Sequence, residues 1–240
     1  GLEIHYDGDL PGKSGTGSSS SFTVGLLNAL YAYKGEQLEP RRLAEEAINI
    51  EQNIIGETVG SQDQIAAAYG GLNHIKFEGN SFEVIPIILN NERLKAIQSR
   101  VMLFFTGISR YAEKVAKTYV ENIETREKQL KVMFQMVDDG VEIMTKGEID
   151  DFGFLLNEAW QKKKELSKEV STSEINHIYD EAISCGALGG KVSGAGGGGF
   201  MFFFVPIDKQ ELLRKRLSNL IHVPFNFGKS GSDIIFDEKL

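Results

Sequence analysis

Residues 9–21 read DLPGKSGTGSSSS. Gly12, Gly15 and Gly17 stand between alternating apolar residues (Leu2, Ile4, Tyr6) and a run with helical spacing (Phe22, Leu26, Leu27, Leu30). Strand, glycine loop and helix in that order build an anion site. Glycine lets backbone approach a phosphate, and the first N–H groups of the helix point at it. Ser18 to Ser21 are placed to cap the helix and add hydroxyl donors. A Walker-type loop is excluded, because its spacing requires glycine at position 7, where Asp7 stands.

A second glycine loop lies far along the chain. Residues 186–204 read GALGGKVSGAGGGGFMFFF. Four consecutive glycines entering a strand are costly to order. They imply a ligand passing close or tight packing of another chain segment. Lys191 and Ser193 add a cation and a hydroxyl. The aromatic run behind them reads as core.

Between the loops, two carboxylates flank a third glycine-containing segment, with Glu51 ending one helix and Asp63 starting the next. Phosphoryl transfer uses one carboxylate for Mg²⁺ and another to orient or deprotonate the attacking hydroxyl. An Asp at a helix start is also a common N-cap.

The remaining chain divides coarsely. Helices are expected at 18–33, 40–50, 63–69 and 92–98, a hairpin around Gly79-Asn80, and a buried strand at Val101 to Phe105. Long amphipathic helices follow. The first carries Ile123, Leu130, Met133, Phe134, Val137, Val141 and Met144, and others run through Phe152 to Trp160 and Ile175 to Ala182. Strands at 200–205 and 221–227, a helix at 208–220 and a last strand at 231–236 complete an α+β chain. Residues 1–90 and 91–240 are expected as two domains. Lys162-Lys163-Lys164 reads as a solvated helix face.

The 240 residues are 41% hydrophobic and 25% charged, within the range of globular proteins. The net charge of −8 lacks the basic surplus of a nucleic-acid-binding domain. No apolar run approaches the about 18 residues of a membrane span. One cysteine, Cys185, excludes an intrachain disulfide and fits a reducing cytoplasm. The four histidines have no metal-ligand spacing.

Together these stretches resemble the GHMP small-molecule kinases. PGKSGTGSSSS at 11–21 is similar to that family's phosphate-binding motif, KVSGAGGGG at 191–199 to its third motif, and GSQDQ at 60–64 to the segment holding its catalytic Asp. Within the family, GSQDQIAAAYGGLNHIKF, LFFTGISR and KVSGAGGGGFMFF resemble the members acting on a heptose 7-phosphate.

The resemblance implies a two-layer GHMP kinase fold that lacks its usual N-terminal strand-rich part. It implies ATP- and Mg²⁺-dependent phosphorylation of an anomeric sugar hydroxyl. Asp63 would be the base or orienting group, and Ser19 and Glu51 would hold Mg²⁺. Pro11, Gly12, Lys13, Ser14, Gly15, Thr16, Gly17, Ser18, Ser19 and Ser20 would bind ATP. Gly194, Ala195, Gly196 and Gly197 would shape the sugar side. Arg110, after a buried strand, is a candidate for the sugar's own phosphate, with a surface helix-start role as its rival. ATP and a phosphorylated sugar are the implied partners, with a homo-oligomer as an option. A fucokinase-like sugar kinase and a non-catalytic binding protein on the same fold are the rival readings.

Overall fold

The computed structural model describes residues 1–10, 12, 15–79, 81–108, 123–228 and 230–236. Helix α1 (Ser18–Tyr33) buries Val24 and Asn28, one turn apart, against α2 (Pro40–Asn49) and α3 (Gln62–Tyr69). Pro40 opens α2 at a position where its fixed φ suits a first turn and its missing N–H costs nothing. Val24, Leu43, Ala44, Ala47, Ile65 and Ala68 form one apolar cluster, closed by Phe82. Phe82 belongs to an antiparallel hairpin of β1 (Asn73–Glu78) and β2 (Ser81–Pro86).

Helix α4 (Asn91–Gln98) starts where the Asn90 side chain accepts the Arg93 N–H at 2.8 Å. It leads into β3 (Val101–Phe105). Helices α5 (Glu127–Thr145), α6 (Ile149–Lys164) and α7 (Ser173–Ser184) follow. Strands β4 (Gly189–Val192) and β5 (Phe200–Phe204), helix α8 (Gln210–Arg216) and strand β6 (Ile221–Val223) complete the order. The second sheet is antiparallel with strand order β4-β5-β3-β6. Met102, Phe104, Met201 and Phe203 of that sheet pack with Trp160, Ile175, Tyr179 and Leu213 from the helices. Burial of each such side chain contributes roughly 1.5–3 kcal/mol. The C-terminal stretch returns to the first cluster, where Asn28 donates to the Ser232 carbonyl at 2.9 Å.

Several expectations from the sequence need correction. Leu2, Ile4 and Tyr6 are each more than half exposed, and residues 1–8 join no strand among the described residues. The 231–236 stretch is likewise not a strand, and the strand at 221 ends at Val223. Helix α2 does not stop at residue 50 but continues as a π-helical turn, Ile50–Ile55, which ends at Gly56. The expected stripe on α5 is displaced. Phe134 and Val137 are exposed and Met136 and Gly140 are buried instead, while Met144 is buried as expected. Gly140 turns inward because α6 approaches closely there: a Cβ on it would lie 3.4 Å from Leu155.

Candidate active site

Gly17 is the N-cap of α1, with φ 70°. The N-cap residue is a glycine and offers no side-chain cap, and no acidic residue lies in the first turn. The N–H groups at the start of α1 have no intrahelical partner, and the helix dipole adds partial positive charge there. A helix start with glycine at its N-cap, behind a glycine loop, is suited to anionic oxygen. Ser19 is exposed, whereas Ser20 is buried and turned inward.

The two glycine loops close on each other backbone to backbone. A Cβ on Gly15 would stand 2.9 Å from the Ser193 carbonyl oxygen, and one on Gly194 would stand 2.9 Å from the Gly15 carbonyl oxygen. The Ser193 hydroxyl donates to that same Gly15 carbonyl at 2.8 Å. Gly194 is exposed and Ala195 half-buried. Gly196 and Gly197 are buried against the segment around Val170, whose carbonyl accepts the Gly197 N–H at 2.9 Å.

Asp63 lies under the first loop. It occupies the first turn of α3 after the N-cap Ser61, and a Cβ on Gly17 would come within 3.2 Å of its carboxyl carbon. Burial, reinforced by the negative charge of Glu51, raises its pKa above the usual carboxylate value. Gln62, Lys163 and Lys191 oppose the rise. Glu51, at the start of the π-helical turn, is 1% exposed. Its Oε2 accepts hydrogen bonds from the Ser20 hydroxyl at 2.9 Å and from Gln64 Nε2 at 2.5 Å. The structure thus brings both carboxylates to the loop at the start of α1.

Glu51 Oε1 and Gln64 Oε1 are buried without a hydrogen-bond partner among the described residues. Unpaired buried acceptors are costly, and an oxygen-seeking cation relieves that cost. No group of three or more His, Cys, Asp or Glu side chains able to hold a metal occurs among the described residues. Mg²⁺ keeps waters and binds through one or two carboxylates plus substrate phosphates, so a single buried carboxylate is enough for its protein side. Glu51 therefore fits the role of its protein ligand. Ser20, rather than Ser19, makes the hydroxyl contact to Glu51.

The sequence reading gave no role to Gln64, although it stands in the GSQDQ string. The three consecutive lysines are not a uniform solvated face. Lys162 pairs with Glu165 at 3.0 Å, and Lys164 lies over the rings of Trp160 and Tyr179. Lys163 turns to the second glycine loop, where its Nζ donates to the Gly194 carbonyl at 2.6 Å. Its inward turn depends on the approach of two distant loops, which periodicity does not report. Pro11, Lys13, Ser14 and Arg110 lie outside the described residues.

Residues 1–71 match the family model for the GHMP kinases N terminal domain, and residues 141–222 match GHMP kinases C terminal. A D-glycero-alpha-D-manno-heptose 7-phosphate kinase of Campylobacter jejuni is 35% identical over 96% of this chain and 69% of its own length. A galactokinase of Thermococcus kodakarensis is 28% identical over 92% of this chain and 69% of its own. The crystal structure of a D-glycero-D-manno-heptose 1-phosphate kinase from Bacteroides thetaiotaomicron superposes with TM-score 0.73 at 28% identity, covering 93% of this chain and 64% of that one. The chain therefore spans about two thirds of the length of these relatives. With two family models matched in order, a relative at 35% identity, and the glycine loops and carboxylates gathered at one place, this chain belongs to the GHMP kinase family.

Proposed function

We propose that this chain carries the phosphoryl-transfer centre of an ATP- and Mg²⁺-dependent cytoplasmic sugar kinase. Its acceptor is D-glycero-D-manno-heptose 7-phosphate, phosphorylated at the anomeric hydroxyl to the 1,7-bisphosphate. The observation that carries the reading is the convergence of Asp63 and Glu51 on the start of α1, under the loop at Gly15 to Ser20.

The chemistry follows from that placement. Backbone N–H groups of Gly15 to Ser20 face the ATP phosphates, and the α1 dipole adds to their pull. Asp63 accepts the proton of the sugar hydroxyl as its oxygen bonds to the γ-phosphorus. The bond from that phosphorus to the β–γ bridging oxygen breaks, and ADP leaves with the electron pair. Burial raises the proton affinity of Asp63, which suits a base. Glu51 and a serine hydroxyl at the start of α1 would hold Mg²⁺, which would supply positive charge to offset that of the phosphates. Arg110 is assigned to the phosphate already on the sugar. Gly194 to Gly197, with Ala195, form the wall that closes the sugar side.

The acceptor is tested by ATP turnover with heptose 7-phosphate, heptose 1-phosphate, fucose and galactose, using the full-length protein its gene encodes. Turnover with the 7-phosphate at least about tenfold above the others is expected; a tenfold preference corresponds to 1.4 kcal/mol in the transition state. Equal or better use of an unphosphorylated sugar overturns the assignment. Two related proteins carry names that differ in the position of the substrate's phosphate, so the 1-phosphate is the decisive competitor.

The metal reading gives its own expectation. Glu51→Gln keeps the shape and both contacts to Oε2 but removes the charge. The Mg²⁺ concentration for half-maximal turnover should rise at least about tenfold, the usual scale for weakening a metal site. An unchanged Mg²⁺ requirement would take Glu51 out of the metal site.

A further inference from the structure

Two cations stand at this site without a role in the reaction as described. Lys163, in the last turn of α6, donates to the Gly194 carbonyl, and Gly194 is the residue that abuts Gly15. Lys191 lies in β4, whose ladder continues one residue further through the Ser193 N–H to the Phe200 carbonyl at 2.8 Å. Residues 189, 191 and 193 share one face of this strand. Gly189 on that face meets the α6 backbone, and Ser193 bonds to the first glycine loop. Lys191 is therefore set between α6 and that loop, on the same side as Lys163.

The two ammoniums repel each other, and both are attracted by Asp63. Burial lowers the pKa of both, that of Lys163 to about 7. Among the described residues neither makes a salt bridge, and Lys191 makes no hydrogen bond. The two partly desolvated lysines share one carboxylate, Asp63, as the attracting charge that acts on both. Structural lysines are ordinarily paired or solvated, as Lys162 is with Glu165. An anion between the two relieves both the repulsion and the desolvation cost.

We propose that Lys163 and Lys191 form a two-cation site for a tetrahedral phosphoryl group held against Asp63 at the seam of the two glycine loops. The site adjoins the loop that faces the nucleotide phosphates and the group that takes the acceptor's proton. That places in it the γ-phosphoryl of ATP during transfer. A phosphate already carried by the sugar is the other source of the same chemistry. The inference rests on the function proposed above for this site.

The test uses Lys163→Met, Lys191→Met and Lys163→Arg in the full-length protein, with calorimetric binding of ATP and of ADP and steady-state kinetics. Each Met variant should bind ATP about 10- to 150-fold more weakly, the scale of a lost charge-assisted contact, with ADP affinity within twofold of wild type. Lys163→Arg should recover most of the ATP-over-ADP preference, which simple loss of packing would not predict. A raised KM for the phosphorylated sugar, with ATP binding and the KM of the unphosphorylated sugar unchanged, would overturn the γ-phosphoryl assignment in favour of the sugar's phosphate. ATP, ADP and both sugars within twofold of wild type in both Met variants would overturn the site itself. If one Met variant fails to fold, the other and the Arg variant give the same reading. If the wild-type protein phosphorylates no sugar, the proposed function fails, while the ATP-to-ADP binding ratio still decides whether the cation pair holds a phosphoryl group.

Discussion

Asp63→Asn lowers kcat at least about 10²-fold while leaving ATP affinity within a few-fold of wild type. The magnitude is that of removing a positioned general base. The amide is nearly isosteric, so the close approach of Gly17 to this side chain survives. What is lost is the capacity to accept a proton. The pH profile supplies a second reading. Burial and the charge of Glu51 raise the Asp63 pKa, and Lys163 and Lys191 pull it back. A base works deprotonated, so wild-type kcat falls as pH drops through that raised value, and the acid limb should lie above the range of an ordinary aspartate. In Asp63→Asn that limb disappears from the residual activity. Stopped-time ADP release across pH 4 to about 8 checks both points, within the range where carboxylates titrate. A variant with near wild-type kcat would remove Asp63 from proton transfer and leave it a structural carboxylate under the loop.

How far the sequence was legible depends on whether the deciding contact is local. The helix at 18–33 was readable from apolar residues at helical spacing, although the residues it buries are Ser20, Val24 and Asn28 and Phe22 is exposed. The hairpin was readable because Gly79-Asn80 separates two apolar runs. The first glycine loop was readable for the same reason, since its glycines and the following helix are contiguous. Strand β4 was not. Gly189 and Gly190 carry no strand signal, and they are there because α6 and Phe203 pass so close that any Cβ would strike them.

Other misreadings have the same source. Glu51 and Asp63 could be named as a possible pair from spacing, but their burial and the partners Ser20 and Gln64 came only with the fold. Lys163 was misread because its neighbours Lys162 and Lys164 behave as surface residues and their run looked uniform. The α5 stripe was misplaced because the helix packs through Gly140, which a hydrophobicity pattern counts as nothing. Residues 2–6 alternate as a strand does, yet alternation supplies no partner, and no described strand pairs with them.

Gly194→Ala is expected to lower kcat/KM for ATP about 10²-fold without unfolding the protein. Gly194 has φ +66°, a region that costs a side-chain-bearing residue roughly 1–2 kcal/mol. The added methyl also meets the Gly15 carbonyl oxygen at 2.9 Å and the Gly15 Cα at 3.1 Å. Both are backbone atoms, so no rotamer change makes room, and the two loops must separate. Gly15 belongs to the loop proposed to position the phosphates, and displacements near 1 Å in such machinery cost about 10²-fold in rate. The seam lies at the surface, because Gly194 is exposed, so the core behind it can stay packed. Gly25→Ala is the matched control. Gly25 lies inside α1 with open space where its Cβ would stand, and alanine there should stabilise by about 0.5–1 kcal/mol and leave turnover unchanged. Melting temperature and ATP kinetics on both variants separate the two effects. Wild-type kinetics in Gly194→Ala would mean that the loops need not touch for phosphate binding, and that their contact is packing alone.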